Sequence, residues 1–213
     1  MKVKYLGHAC FKITTNKGIR IMTDPFDETV GYEIPRDEVD IVTTSHDHFD
    51  HNYIKGPTGD FEVVNKVGNF YVKDVPITGI ATYHDKHQGS ERGSNVVYIF
   101  TIGDLRVCHL GDLGHIPDSK QIEAIGKIGV LMIPVGGVYT IDADEAKEVV
   151  DLINPKIVIP MHYKTEDLKF ELGSLDKFTK YFSNVEKVNS QEIEINKDVI
   201  SNAEKKVIVL RYK

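Results

Sequence analysis

A short histidine-rich stretch, TTSHDHFDH, covers residues 43–51 and directly follows an apolar run that is typical of a buried strand. Neutral imidazole and carboxylate groups are the ligands that zinc and similar divalent ions prefer in proteins. In extended backbone the side chains of residues two apart point to the same side, so His46 and His48 can face one ion. Asp50 and His51 come after the chain has to turn, and their side chains can therefore face a second position.

Three further apolar runs also end in a histidine or an aspartate. His84 follows the run 77–83, Asp112 follows the run 105–110, and His162 follows the run 157–161. In layered α/β proteins, sites are built at the carboxyl ends of the strands, so these side chains are expected to converge. A lone histidine at a strand end is usually a hydrogen-bonded structural residue, so the prediction of a metal site depends on the four segments together.

The rest of the pattern indicates the elements that would position these residues. Strand-like runs lie at residues 3–6, 11–14, 19–23, 39–43, 61–67, 70–73, 75–82, 96–102, 105–110, 130–135, 157–160, 192–195 and 207–210. Helical stripes lie at residues 116–128, 142–154 and 174–182, and Asp142 with Glu145 predicts a capping box for the second of these. Many strands, followed by alternating helices and strands, predict sheets with helices outside them. The absence of a linker-like segment predicts one domain over residues 1–213.

Composition limits the classes of function. The 213 residues are 41% hydrophobic and 27% charged, with a formal net charge of −6 and no clustered basic tract, which argues against nucleic-acid binding. No apolar stretch approaches the ~20 residues that span a bilayer. The alternating start MKVKYLGHACFKI is unlike a signal peptide, and Cys10 and Cys108 fit buried thiols in a reducing compartment. We therefore expect a cytoplasmic protein with a small-molecule substrate and no membrane partner, and homo-oligomerisation stays open.

The sequence HDHFDH at residues 46–51 matches the H-x-H-x-D-H signature of the metallo-β-lactamase superfamily. The resemblance extends along the chain, because Thr23-Asp24-Pro25-Phe26, His84, Gly111-Asp112 and Pro160-Met161-His162-Tyr163 resemble the other motifs of that family. Gly7–Phe11, Arg92-Gly93-x-Asn95 and the last motif resemble one branch of metal-dependent hydrolases. That branch is similar to the ascorbate-6-phosphate lactonase group and, more distantly, to N-acyl-phosphatidylethanolamine phospholipase D.

The resemblance implies a fold and a ligand set. The fold is an α/β four-layer αββα sandwich, with two mixed sheets packed face to face and helices outside. Two divalent ions are implied, with Zn²⁺ favoured and Mn²⁺ or Fe²⁺ as alternatives. The residues carried over are His46, His48 and His84 for one ion, Asp50, His51 and His162 for the other, Asp112 as the bridge, and Asp24 as the support of the histidine-rich loop.

The implied activity is hydrolysis, in which a hydroxide shared by the two ions attacks an ester, a lactone or a phosphodiester of a small and perhaps anionic substrate. Asp50 would orient the hydroxide and move a proton, and Asp112 would hold both ions. His8, Arg92 and Tyr163 are weaker candidates for substrate contact, each with an ordinary structural role as the alternative. A non-hydrolytic metal-binding protein, such as a sensor or a di-iron redox protein, is the alternative function.

Two departures from the superfamily's best-known members narrow the expectation. The true β-lactamases are secreted, whereas this start shows no signal-like segment. The segment between His51 and His84 leaves little room for a large inserted nuclease domain. Antibiotic hydrolysis and RNA processing are therefore less expected.

Overall fold

The computed structural model describes residues 1–197, 200 and 204–213. Strands β1 to β7 are Lys2–Gly7, Cys10–Thr14, Arg20–Thr23, Ile41–Thr43, Glu62–Val64, Gly68–Val72 and Val75–Tyr83. Strands β8 to β14 are Ser94–Ile102, Leu105–His109, Val130–Pro134, Ile157–Met161, Val185–Lys187, Glu192–Glu194 and Lys206–Val209. Helices α1 to α3 are Ser119–Ile125, Ala143–Ile153 and Asp176–Thr179.

The strands form two mixed sheets, as predicted. The first sheet has the order β13-β1-β2-β3-β4-β5, with antiparallel pairs up to β3 and parallel pairs beyond it. The second has the order β12-β14-β11-β10-β9-β8-β7-β6, parallel from β12 to β9 and antiparallel from there on. Residues 16–18 lie in the connection from β2 to β3, and residues 103–104 form the turn from β8 to β9.

The main hydrophobic core lies between the two sheets. Successive side chains of a strand point to opposite faces, so Phe11 and Ile13 join this core while Cys10 faces away from it. The outward face of the first sheet is buried under a second cluster, to which the loop residues Phe26 and Leu168 contribute. Irregular segments therefore cover much of that face.

Capping residues set the ends of helices α1 and α2. Helix α2 has the predicted capping box at Asp142 and ends at Asn154 in the left-handed conformation. Helix α1 is shorter than the predicted stripe, because Asp118 caps its start and Gly126 ends it with φ 63°. Helix α3 is a single turn without a side-chain cap, so the apolar spacing at residues 174–182 overestimated its length.

Several strands end at one edge where the two sheets meet. Strands β1, β3 and β4 of the first sheet lead into His8, Asp24 and the histidine-rich loop. Strands β7, β9 and β11 of the second sheet lead to the segments that carry His84, Asp112 and His162. The fold thus brings together chain segments that are far apart in sequence. Among the described residues, no helix is long and apolar enough to cross a membrane.

Candidate metal centre

The carboxylate of Asp112 lies at the centre of the histidine cluster. Its Oδ2 is 3.2 Å from Nε2 of His51 and 3.3 Å from Nε2 of both His84 and His162. Nε2 of His46 lies 4.0 Å away from the same oxygen. Asp112 is buried, with 2% of its surface exposed. One carboxylate is therefore shared by histidines from three separate segments of the chain.

Potential donor atoms fall into two groups on either side of Asp112. One group contains His46, His48 and His84, and the other contains His8, Asp50, His51 and His162, with donor atoms within 4.8 Å of one another in each group. A third set, His46, His51 and Asp112, overlaps both. The structure thus brings together the seven residues that the resemblance implies as ligands, and it adds His8 to the group of Asp50, His51 and His162.

The spacing and the unpaired atoms of this cluster fit divalent ions. Ligand bonds of about 2.0–2.1 Å in tetrahedral geometry place neighbouring donor atoms about 3.3 Å apart, close to the separations around Asp112. Within the described residues, Nε2 of His46, Nε2 of His51 and Oδ1 of Asp112 are buried without a hydrogen-bond partner. Burying an unsatisfied polar group costs about 1–3 kcal/mol, and a bound ion would remove that cost.

Asp24 fixes the orientation of two of these histidines. Its buried carboxylate accepts a hydrogen bond from His51 Nδ1 at 2.9 Å and from the Ser45 hydroxyl at 2.6 Å. The Ser45 oxygen in turn accepts from His46 Nδ1 at 2.9 Å. Because Nδ1 carries the proton in both rings, the Nε2 lone pairs are left for an ion. A carboxylate behind a ligating histidine is a common support of metal sites.

Burial and neighbouring charges set the protonation of the metal-free cluster. Burial lowers the pKa of His46 to about 3, and the nearby His51 adds to this effect. Burial also opposes a charge on His51, but the carboxylates of Asp112 and Asp50 outweigh it and raise the His51 pKa well above its usual value. Burial likewise opposes ionisation of Asp112, but His162 and His51 hold its pKa well below the usual range. Burial thus dominates the pKa of His46, whereas the neighbouring carboxylates dominate the pKa of His51.

The sequence profile described as "Beta-lactamase superfamily domain" matches residues 2–162.

The chain belongs to the metallo-β-lactamase superfamily.

Within the metallo-β-lactamase superfamily, the chain is similar to a UPF0173 protein of Pyrococcus abyssi, with 34% identity over 185 residues covering 78% of this chain and 84% of the relative. A UPF0173 metal-dependent hydrolase of Thermoplasma acidophilum is 29% identical over 194 residues, covering 79% and 85%. A Thermotoga maritima structure provisionally assigned as a Zn-dependent hydrolase of the superfamily is 43% identical, covers 98% of this chain and 97% of its own, and has a TM-score of 0.82.

His8 lies behind Asp50 in this superfamily member. The sequence suggested it as a substrate contact, but the ring is buried and is not among the side chains that line the cavity above the centre. Its Nε2 donates to Asp50 Oδ2 at 3.1 Å, and its ring centroid is 4.3 Å from that of His162. Its backbone has φ 54°, a strained value for a residue other than glycine. The structure therefore places His8 where it can steady Asp50.

The cavity that opens on the centre has a volume of about 330 Å³. Its walls are formed by His48, Phe49, Asp50, His84, Arg92, Asp112, Tyr139, His162 and Phe170. Arg92, a candidate substrate contact from the sequence, is thus part of the wall. Tyr163, the other such candidate, is instead buried beside Tyr5, with ring centroids 6.5 Å apart. Its placement gives Tyr163 a packing role and no contact with this cavity.

The structure adds two residues to the site that the sequence reasoning did not single out. Asn95 Oδ1 accepts the backbone N–H of Asp112 at 2.9 Å, and its amide donates to Thr82 Oγ1 and to the Leu110 carbonyl. Asp85 accepts four backbone hydrogen bonds from the loop that follows His84. Signals existed for both, since Asn95 stands in the Arg92-Gly93-x-Asn95 motif and Asp85 precedes a glycine-containing turn.

Two glycines allow the chain to pass directly against the backbone of ligand residues. A Cβ on Gly114 would lie 2.2 Å from the carbonyl carbon of His84. A Cβ on Gly136 would lie 2.2 Å from the carbonyl oxygen of His162. Both contacts are too short for a residue with a Cβ, so these two positions require glycine. The chain can therefore pack directly against the backbone of His84 and His162.

Proposed function

We propose that this chain is a metal-dependent hydrolase that uses two divalent ions to cleave an ester, lactone or phosphodiester bond of a small substrate. Membership of the metallo-β-lactamase superfamily and the names of its relatives support the coarser part, a metal-dependent hydrolase. The finer part, two ions and this class of bond, is supported by the chain's own donor atoms. Zn²⁺ suits the mixture of imidazole and carboxylate groups, with Mn²⁺ and Fe²⁺ as alternatives.

The observation that carries the proposal is the position of Asp112 between two donor groups. Its Oδ2 lies within 3.3 Å of His84 from one group and of His51 and His162 from the other. A single tetrahedral ion would leave several of these buried donors without a role. Two ions that share Asp112 would give each of these buried donor atoms a metal to bind.

The residues around the centre have distinct roles. When bound, two divalent ions lower the pKa of a water molecule toward 7 and polarise the bond to be cleaved. Asp50 lines the cavity with 14% of its side chain exposed, so its free oxygen can accept a proton from the attacking water and pass it to the leaving group. The hydrogen bond from His8 holds that carboxylate in one orientation. Asp24 keeps His46 and His51 in the tautomers that present Nε2.

A substrate panel with a matched pair of variants tests this proposal. Protein loaded with Zn²⁺ or Mn²⁺ is assayed against 4-nitrophenyl esters, lactones and bis(4-nitrophenyl) phosphate. Asp112→Asn should reduce kcat/KM by at least about 100-fold, the scale on which loss of an electrostatic group acts in the transition state. Asp60→Asn makes the same change of charge at an exposed position and should stay within about twofold of the parent.

The outcomes separate the candidate functions. Full activity in Asp112→Asn, with its fold confirmed by circular dichroism, would show that hydrolysis does not require the Asp112 carboxylate. Absence of turnover across the panel, together with tightly held iron in the purified protein, would favour the non-hydrolytic alternative. Turnover that depends on added metal and on Asp112 is the expected result.

A further inference from the structure

We propose that the cavity selects small amphipathic anions, with Arg92 binding a carboxylate or phosphate group and three aromatic side chains contacting an apolar body. This inference rests on the proposed function and names its substrate class. The walls of the cavity divide into two parts. His48, Asp50, His84, Asp112 and His162 belong to the metal centre, which leaves Phe49, Arg92, Tyr139 and Phe170 for the substrate.

The position of Arg92 is fixed from within its own loop. Asp85 is buried, with 6% of its surface exposed, and follows His84 directly. Its carboxylate accepts backbone N–H groups of His87 at 2.7 Å, Gly89 at 2.8 Å, Glu91 at 3.0 Å and Arg92 at 2.8 Å. These four bonds hold the pKa of Asp85 well below its usual range, against the opposing effect of burial. The loop therefore places Arg92 at a defined distance from the metal centre.

The guanidinium of Arg92 rests on an aromatic ring. Its central carbon lies 4.7 Å from the centroid of Tyr139, which is a cation–π contact. Tyr139 belongs to a strained segment, because the preceding Val138 has φ 63°, a value that β-branched residues rarely adopt. Such strain costs about 1–3 kcal/mol and is concentrated at functional sites. The segment thus holds Tyr139 beneath Arg92.

The edge of that guanidinium is available to a ligand. Stacking uses the face of the group and leaves its planar N–H donors, which match a carboxylate or a phosphate. Within the described part of the chain, no carboxylate forms an ion pair with Arg92. Arg20 is the contrasting case, because its positive charge is already paired with the carboxylates of Glu38 and Asp40. Arg92 is the one lysine or arginine among the described residues that line the cavity.

The aromatic side chains of the cavity wall would contact the apolar part of the substrate. Phe49 is 54% exposed and lies in the wall of the cavity, where a bound ligand would cover its ring. Phe170 and Tyr139 contribute two further rings to the same cavity. A volume of about 330 Å³ suits a small molecule, since it lies near the lower end of ligand pockets, about 300–1,000 Å³. A short ester or lactone that bears one anionic group on an apolar body fits this wall.

Two esters of equal length test the inference on the metal-loaded protein. Mono-4-nitrophenyl glutarate carries a carboxylate, and 4-nitrophenyl pentanoate carries a methyl group in its place. Arg92→Ala should raise KM for the glutarate ester by roughly 10- to 100-fold, as expected for lost hydrogen bonds to a charged group, with kcat within about twofold. The pentanoate ester should be hydrolysed equally by both proteins. Arg92→Lys should restore part of the affinity, and Arg211→Ala should match the parent.

A binding measurement separates this inference from the proposed hydrolysis. Isothermal titration calorimetry with 4-phenylbutyrate and metal-loaded protein should show binding that weakens about tenfold or more in Arg92→Ala. Binding that depends on Arg92, without turnover of either ester or of any substrate in the ester, lactone and phosphodiester panel, would support the anion subsite and reject the hydrolase. Glutarate-ester turnover or 4-phenylbutyrate binding that is unaffected by Arg92→Ala overturns the subsite, and so does failure of the parent protein to bind 4-phenylbutyrate.

Discussion

The carboxylate of Asp24 accepts a hydrogen bond from Nδ1 of His51 across 2.9 Å, and both residues are fully buried. The same carboxylate reaches His46 through the hydroxyl of Ser45. Asp24 follows strand β3, which is paired with the strand that precedes the histidine-rich loop. The orientation of two histidines that lie on one loop is therefore set from the neighbouring strand.

Replacement of Asp24 should weaken metal binding. Asp24→Asn leaves the size of the side chain unchanged but removes the charge that holds the two Nδ1 protons. We expect metal affinity to fall by roughly 10- to 100-fold, which is typical for loss of a group behind a ligating histidine. Competition with a chelator of known affinity measures the change, and Asp60→Asn is the control. An unchanged affinity would mean that the tautomers of His46 and His51 do not depend on Asp24.

His8 should act through Asp50. In His8→Ala the Asp50 carboxylate loses its partner, and we expect kcat to fall by roughly 10- to 100-fold, within the range for a positioned acid–base group, with little change in KM. His8→Gln keeps a side-chain N–H donor of similar reach and should recover part of kcat. Steady-state kinetics of both variants check this prediction. Equal loss in the two variants, with no recovery by glutamine, would point to packing against His162 as the main role of His8.

The four hydrogen bonds to Asp85 should control the stability of the loop after His84. Asp85→Ala leaves the N–H groups of residues 87, 89, 91 and 92 without their acceptor, and we expect their amide exchange to accelerate by roughly 10- to 100-fold. Hydrogen exchange read by mass spectrometry over residues 85–93 measures the effect. Asp118→Ala, which removes the cap of helix α1, is a control that should leave this loop unchanged. Unaltered exchange in Asp85→Ala would show that the loop is held by other contacts.

Much of the cluster could be predicted because its candidate metal ligands come directly after strands. A buried strand gives a run of apolar residues, and the polar residue that ends it is placed by the geometry of the sheet. His84, Asp112 and His162 were assigned on this basis, and the structure brings them together. The apolar runs predicted sheets with helices outside them, whereas the arrangement in two mixed sheets was implied by the resemblance to the metallo-β-lactamase superfamily.

Side chains whose direction depends on local backbone were harder to predict. His8 follows strand β1 but has φ 54° and turns behind Asp50. Tyr163 follows His162 directly in sequence but turns into the core. The four bonds that Asp85 accepts come from a loop with no periodic pattern. The length of helix α1 depended on the Asp118 cap and on Gly126, and helix α3 is one turn without a side-chain cap; apolar spacing reports neither feature.

The most direct test of the account is a titration of metal-free protein with Zn²⁺, with bound metal and hydrolytic activity measured on the same samples. Two donor groups that share Asp112 predict two ions bound per chain and activity that continues to rise through the second equivalent. Asp112→Asn should bind fewer ions and remain inactive at saturation. Activity that is complete at one equivalent, or a parent protein that binds only one ion under saturating metal, would contradict the dinuclear centre.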